Sequence, residues 1–166
     1  MKLLQILVFV MFPAIVFAQP TFENKKGGYK ISIPFKWTVK QEDDVTIVYA
    51  PDEGDMDVWK EKLEISLTTA NDLDLEEGFK FYIEQDLPAI YNGIQVLKQG
   101  EENINGLKTK WMVFSFSQSS NVFHNLFYLV WRDKKFYMLQ AAAEKSFYPK
   151  YESEYLKIIR SFQFVK

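Results

Sequence analysis

The sequence predicts an α+β domain: an antiparallel sheet with two helices packed against it. Three observations predict it. Most of the chain alternates apolar and polar residues with a period of two, the mark of strands with one face turned inward. Two stretches, within 75–90 and 149–162, repeat instead at about 3.6 residues, the mark of amphipathic helices. Between them the strands are apolar on both sides, which requires a sheet covered on both faces over its centre.

The chain opens with Lys2 and an apolar run from Leu3 to Ala18 that closes on Val16-Phe17-Ala18. This reads as a signal peptide over 1–18, cleaved between Ala18 and Gln19. A retained membrane anchor is the alternative, although spanning takes about 20 apolar residues. The run is shorter than that and contains Pro13, a helix breaker. Residues 19–27 are polar and aperiodic and read as a flexible lead-in, with 28–166 as one domain.

Within the domain, Tyr29-Lys30-Ile31-Ser32-Ile33 alternates as a strand that Pro34 ends, because proline cannot donate to a ladder. Trp37 to Lys40 and Val45 to Ala50 are two more strands, joined over Gln41-Glu42-Asp43-Asp44. A loop with Pro51 and Gly54 precedes Leu63 to Thr69, the cleanest alternation in the chain. Leu75, Phe79, Tyr82 or Ile83, Leu87 and Ile90 then share one helix face. Asp74 caps that helix, Glu76 and Glu77 suit its positive end, and Pro88 followed by Asn92-Gly93 stops it. Gly78 in its interior costs up to about 1 kcal/mol relative to alanine.

Asn105-Gly106 joins Ile94 to Ile104 with Leu107 to Ser117 as a hairpin. Arg132-Asp133-Lys134-Lys135 joins Val122 to Trp131 with Phe136 to Ala143 in the same way. After Ser146 and Pro149, the residues Tyr151, Tyr155, Ile158, Ile159 and Phe162 recur at helical spacing. No internal repeat or linker divides the domain.

Composition removes several functional classes. The 166 residues include no cysteine, which excludes a disulfide scaffold, a cysteine-rich zinc site, a thiol nucleophile and a lipoprotein anchor. Twenty Lys and Arg against 22 Asp and Glu leave a net charge of −2, with no basic excess for a phosphate backbone, so no nucleic-acid partner is expected.

The opening Gly28-Tyr29-Lys30-Ile31-Ser32-Ile33-Pro34-Phe35-Lys36-Trp37 and the ending Ile158-Ile159-Arg160-Ser161-Phe162, with this order of elements between them, resemble the PsbP/Mog1-like superfamily and its bacterial DcrB-type members. The resemblance spans about residues 28–164. It implies an α/β/α sandwich whose curved antiparallel sheet of about six to seven strands is flanked by two main helices. It also implies structural roles for Pro34, Trp37, Ser161 and Phe162, with Trp37 packed at the sheet edge and Phe162 pinning the last helix. Lys36 stands where members often carry glycine before the tryptophan.

Members of that superfamily mainly bind other proteins. Photosynthetic members assist the oxygen-evolving complex and Mog1 binds the Ran GTPase, roles that do not transfer to an exported bacterial chain. The resemblance therefore implies a non-catalytic, exported protein-binding or accessory domain of the bacterial envelope, periplasmic or secreted. It would have a protein partner there, no cofactor and no stable membrane insertion after cleavage.

The residues supply little chemistry against this reading. His124 is the only histidine, with no orienting carboxylate or nucleophile identifiable beside it. Ser115, Ser117, Ser119 and Ser120 lack a nucleophile elbow. A hydrolase is accordingly the weakest alternative, and no catalytic residue is assigned. Asp52, Glu53, Asp55 and Asp57 surround Gly54 as oxygen donors that could hold calcium, yet the spacing departs from a calcium-binding EF-hand loop, so no metal site is assigned. Trp59 and the many aromatics leave a further alternative, a carrier of a small apolar ligand or lipid in a pocket between sheet and helix, with Trp59 as an interaction candidate.

Overall fold

A computed structural model describes residues 19–54 and 59–165; the predicted signal peptide over 1–18 lies outside the described residues. The expected flexible lead-in over 19–27 is instead largely ordered. Thr21–Asn24 forms β1, paired antiparallel with β2 (Tyr29–Ser32). Four residues are too few to show a period, and what orders them is pairing: β2 also pairs with β10 (Gln163–Phe164), so the two ends of the domain share a three-stranded sheet.

The main sheet has seven strands, all antiparallel: β3 (Thr38–Glu42), β4 (Val45–Tyr49), β5 (Lys62–Thr69), β6 (Asn92–Ile104), β7 (Leu107–Gln118), β8 (Asn121–Arg132) and β9 (Lys135–Glu144). Their spatial order is β3-β4-β5-β9-β8-β7-β6. The sequence places Tyr29–Ser32 beside these strands; the structure moves it to the small sheet, whose Tyr29, Ile31 and Ile33 pack into the core. Both predicted hairpins form. Asn105 and Gly106 have φ of 50° and 85°, and Asp133 and Lys134 have 51° and 60°, so both turns carry two left-handed residues, the twist that suits a two-residue loop.

Each face of the main sheet has its own core, as the two-sided apolar strands require. On one face Val113, Leu126, Tyr128 and Val130 pack with the small sheet and α3 (Tyr148–Arg160). On the other, Met112, Phe114, Phe127 and Leu129 pack under a helical run from Leu75 to Ile90. That run is α1 (Leu75–Phe81), a π-helical turn (Tyr82–Asp86) and α2 (Leu87–Ile90). Asp74 and Glu77 form a reciprocal capping box at its start.

Pro88 does not stop the helix as the sequence suggests. The turn before it widens so that the Leu87 N–H reaches the Tyr82 carbonyl five residues back, and proline, which has no N–H to place and whose ring crowds the preceding turn, is tolerated in α2. Gly78 also has a structural reason: a Cβ there would collide with the ring of Phe136 on the sheet below.

Candidate functional site

Where the widened helix leaves the sheet, a groove of about 350 Å³ opens between α1, the π-helical turn and strands β5, β8 and β9. Its walls are mainly apolar, from Leu73, Phe81, Leu129, Phe136 and Met138, with the Tyr82 ring inside. Tyr82 is fixed by near-parallel stacking on Phe127, with centroids 4.1 Å apart, and burial pushes its phenol above the usual tyrosine range. At the rim stand Phe81, 50% exposed, and Trp131, 41% exposed. Trp131 is held there by its indole N–H, which donates to the Leu73 carbonyl at 3.1 Å.

The backbone is strained at one end of this groove. Asn71 and Asp72, in the turn from β5 to α1, have φ of 45° and 67°. They lie against the β8–β9 turn, where Asp133 and Lys134 are also left-handed, and the Ala70 N–H donates to the Lys134 carbonyl at 2.9 Å. A Lys134–Asp72 ion pair at 3.2 Å joins the same two turns. Asn and Asp tolerate this region, so the strain, of order 1 kcal/mol or more, falls mainly on Lys134, and surrounding contacts hold it in place. Strain of this kind, like a π-helical turn, recurs at functional sites.

The residues singled out by sequence fall elsewhere. Asp52 accepts from the Gly54 N–H at 3.0 Å and pairs with Lys60 at 3.3 Å. Glu53 turns to α3, where it is bonded by Lys150 and Tyr151, and these partners hold its carboxyl below the usual range. Asp55 and Asp57 lie outside the described residues. No group of three or more potential metal ligands occurs among the described residues.

His124 packs edge-on against Tyr148, with centroids 5.3 Å apart. Among the described residues no hydrogen bond links it to a carboxylate or hydroxyl. Burial, followed by Lys145, pushes its pKa below the usual histidine range, against the opposing pull of Glu152. Trp59 lies over Phe123, centroids 4.6 Å apart, on the groove's side of the sheet but outside the groove.

Pro34, Trp37, Ser161 and Phe162 lie in a separate structural cluster. The Pro34 carbonyl accepts from the Trp37 N–H at 3.1 Å, closing a turn in which Lys36 has φ of 68°, the conformation glycine would take without strain. Trp37 packs edge-on against Tyr151 and Tyr155 of α3. Ser161 Oγ accepts from the Ser32 N–H at 2.7 Å and donates to the Ile158 carbonyl at 2.6 Å, tying α3 to β2. Phe162 is fully buried and stacks on Tyr29 at 5.1 Å.

Solved structures share this arrangement over nearly their whole lengths. Cyanobacterial PsbP (CyanoP) from Synechocystis superposes with a TM-score of 0.64 at 15% identity, covering 93% of this chain and 97% of its own. The fold is PsbP/Mog1-like. The Ran-binding protein Mog1p of Saccharomyces cerevisiae follows the chain with a TM-score of 0.61 at 13% identity, covering 90% of this chain and 96% of its own. LpqN, involved in cell envelope biogenesis of Mycobacterium tuberculosis, does so with a TM-score of 0.64 at 11% identity, covering 92% and 88%. No protein-family model and no curated protein matches the chain. Among the described residues no helix is long and apolar enough to cross a membrane.

The groove was not legible in the sequence, because its lining comes from four separated segments. One signal did point to it: Phe81 is a large apolar residue with no place on the inward stripe of its own helix.

Proposed function

We propose that this chain is exported, loses residues 1–18 between Ala18 and Gln19, and serves as a non-catalytic accessory domain of the bacterial envelope that binds a protein partner through the groove. The observation that carries the reading is a pair of exposed rings at an apolar recess, Phe81 in its wall and Trp131 held beside it by its bond to the Leu73 carbonyl. Aromatic side chains are enriched at protein interfaces relative to the rest of the surface, where they supply large apolar contact area. The likeness to a Ran-binding protein and to an envelope-biogenesis protein supports the same class of role.

A photo-crosslinking residue in place of Phe81, tested in the producing cell, checks the reading. One protein should be captured from position 81 and lost when Trp131→Glu is added, while the same residue at Lys40 on the edge strand captures nothing. Equal capture from both positions, or none from 81, would refute it. Amino-terminal sequencing of the exported product checks the cleavage and should begin at Gln19.

A second reading rests on the volume of the recess. About 350 Å³ falls at the lower end of small-molecule sites, so a carrier of a small apolar ligand fits the same walls. The open rim favours the protein partner; a lipid or small molecule retained through purification would favour the carrier.

A further inference from the structure

We propose that β6 pairs with β6 of a second copy of this chain, the two strands running antiparallel about a two-fold axis at Gly100. β6 is an edge strand of the main sheet: β7 pairs with one side of it, and among the described residues no strand pairs with the other. It is 13 residues long and carries no proline. Natural edges are usually short, bulged or charged, because unpaired N–H and C=O groups invite another strand. Here the register irregularities lie between Asn92 and Lys98, and from Lys98 to Ile104 the ladder to β7 is regular. On the helical face α1 stands back from this stretch across an open groove of about 520 Å³ lined by Phe79, Ile83, Gln99 and Gly100. β6 takes no part in the groove beside Tyr82.

The hairpin turn fixes which backbone groups point outward. A two-residue loop is closed by a hydrogen-bonded pair, here Ile104 and Leu107, and bonded and open pairs then alternate along the ladder. Lys98, Gly100 and Glu102 therefore direct their N–H and C=O groups to β7, and the Glu102 carbonyl also accepts from Thr109 Oγ1 at 2.8 Å. Gln99, Glu101 and Asn103 direct theirs outward. An antiparallel strand must set its own outward residues against these.

Charge then selects the register. An axis at Lys98, Glu101 or Glu102 sets a charge against its own copy, one at Gln99 carries the pairing into the bulge, and one at Asn103 runs it into the turn. With the axis at Gly100, Gln99 exchanges hydrogen bonds with the partner's Glu101, and Lys98 lies directly opposite the partner's Glu102. Among the described residues Lys98 has no ion-pair partner of its own. Glu102 is fixed on that face by Arg160 at 2.7 Å and Tyr128 at 2.8 Å, and a carboxylate has about four lone-pair sites, so it has room for the lysine. Unlike charges directly opposed across antiparallel strands attract, and like charges repel.

Gly100 suits the axis for a second reason. The Trp111 ring lies over it, and a Cβ there would meet ring atoms at 3.1 and 3.2 Å. The ring thus reaches from β7 across to the edge, where it is only partly buried. Across an axis at Gly100 the two Trp111 rings face each other and give the pairing an apolar centre. Val96 and Leu97, 40% and 39% exposed, lie just beyond the paired stretch, alongside the partner's Ile104. The same patch meets itself, the form of a closed two-fold dimer, and neither β6 edge is left free for a third copy.

The chain has no cysteine, so introduced cysteines report the register. Lys98→Cys and Glu102→Cys, each air-oxidised alone, should stay monomeric, because the register holds like positions about 13 Å apart, beyond the reach of a disulfide. An equimolar mixture of the two should form a disulfide-linked dimer of unlike copies. Sedimentation of the unsubstituted protein should show half of the chains paired at about 1 mM or below. Lys98→Glu sets like charges against each other twice across the axis and should weaken the association about tenfold or more. A protein that stays monomeric at that concentration, single cysteine variants that link as readily as the mixture, or Lys98→Glu without effect would overturn the proposal. So would a mixture that forms no dimer while a photo-crosslinking residue at position 98 captures a different protein in the producing cell, which assigns the edge to a foreign strand.

Discussion

Replacing Gly78 by alanine sets two effects against each other, and the structure decides the sign. In an exposed helix the substitution stabilises by about 1 kcal/mol, because glycine is the poorer helix former. Here the added Cβ would lie 2.7 and 2.8 Å from two carbons of the Phe136 ring, with the ring's Cζ nearer still, and no real Cβ sits so close. Phe136 is buried beneath the helix and cannot swing into solvent, so the helix must lift from the sheet. Overpacking of this kind costs about 1–3 kcal/mol. After the propensity gain is set against it, Gly78→Ala should lose up to about 2 kcal/mol, which for a chain of this length lowers the thermal midpoint by up to about 8 °C. Urea unfolding followed by circular dichroism measures it, and adding Phe136→Leu should restore most of the loss. A stabilised Gly78→Ala would refute the packing argument. Because both residues line the groove, the single variant should also weaken crosslinking from position 81.

Lys36→Gly should do the opposite. It relieves a left-handed lysine worth roughly 1–2 kcal/mol against about 0.4–1 kcal/mol from a freer unfolded chain, so the thermal midpoint should rise by up to about 6 °C. Glu102 joins β6 to α3: burial pushes its carboxyl up, but hydrogen bonds from Arg160 at 2.7 Å and Tyr128 at 2.8 Å outweigh that and hold it below the usual range. A lowered folded-state pKa stabilises above the unfolded value and is lost as pH falls below about 4.3, so Glu102→Gln should flatten the acid limb of a stability–pH curve. Added calcium should leave the thermal midpoint unchanged, since Asp52 and Glu53 are already engaged by Lys60, Lys150 and Tyr151; a clear rise would assign the acidic loop a metal.

What the sequence reveals here depends on how local the cause is. The Asn105-Gly106 hairpin, the Asp74 cap and the amphipathic Tyr148–Arg160 helix are each specified by neighbouring residues and were legible. The β1 and β10 strands were not, since four and two residues carry no period and exist only through pairing with β2. Pro88 misled because its effect depends on the width of the turn before it. Trp59 drew notice as an aromatic beside an acidic loop, but only the folded chain brings it over Phe123.

The position of β2 between the first and last strands has a consequence for timing. Tyr29 and Ile31 are among the first core residues to be synthesised, yet their packing needs Phe162, and their sheet needs Gln163 and Phe164. A growing chain cannot complete this core until Phe162, Gln163 and Phe164 have left the ribosome. Until then the interior stays open, and the pairing of β2 with β10 acts as a latch that only the distal end of the fold can close.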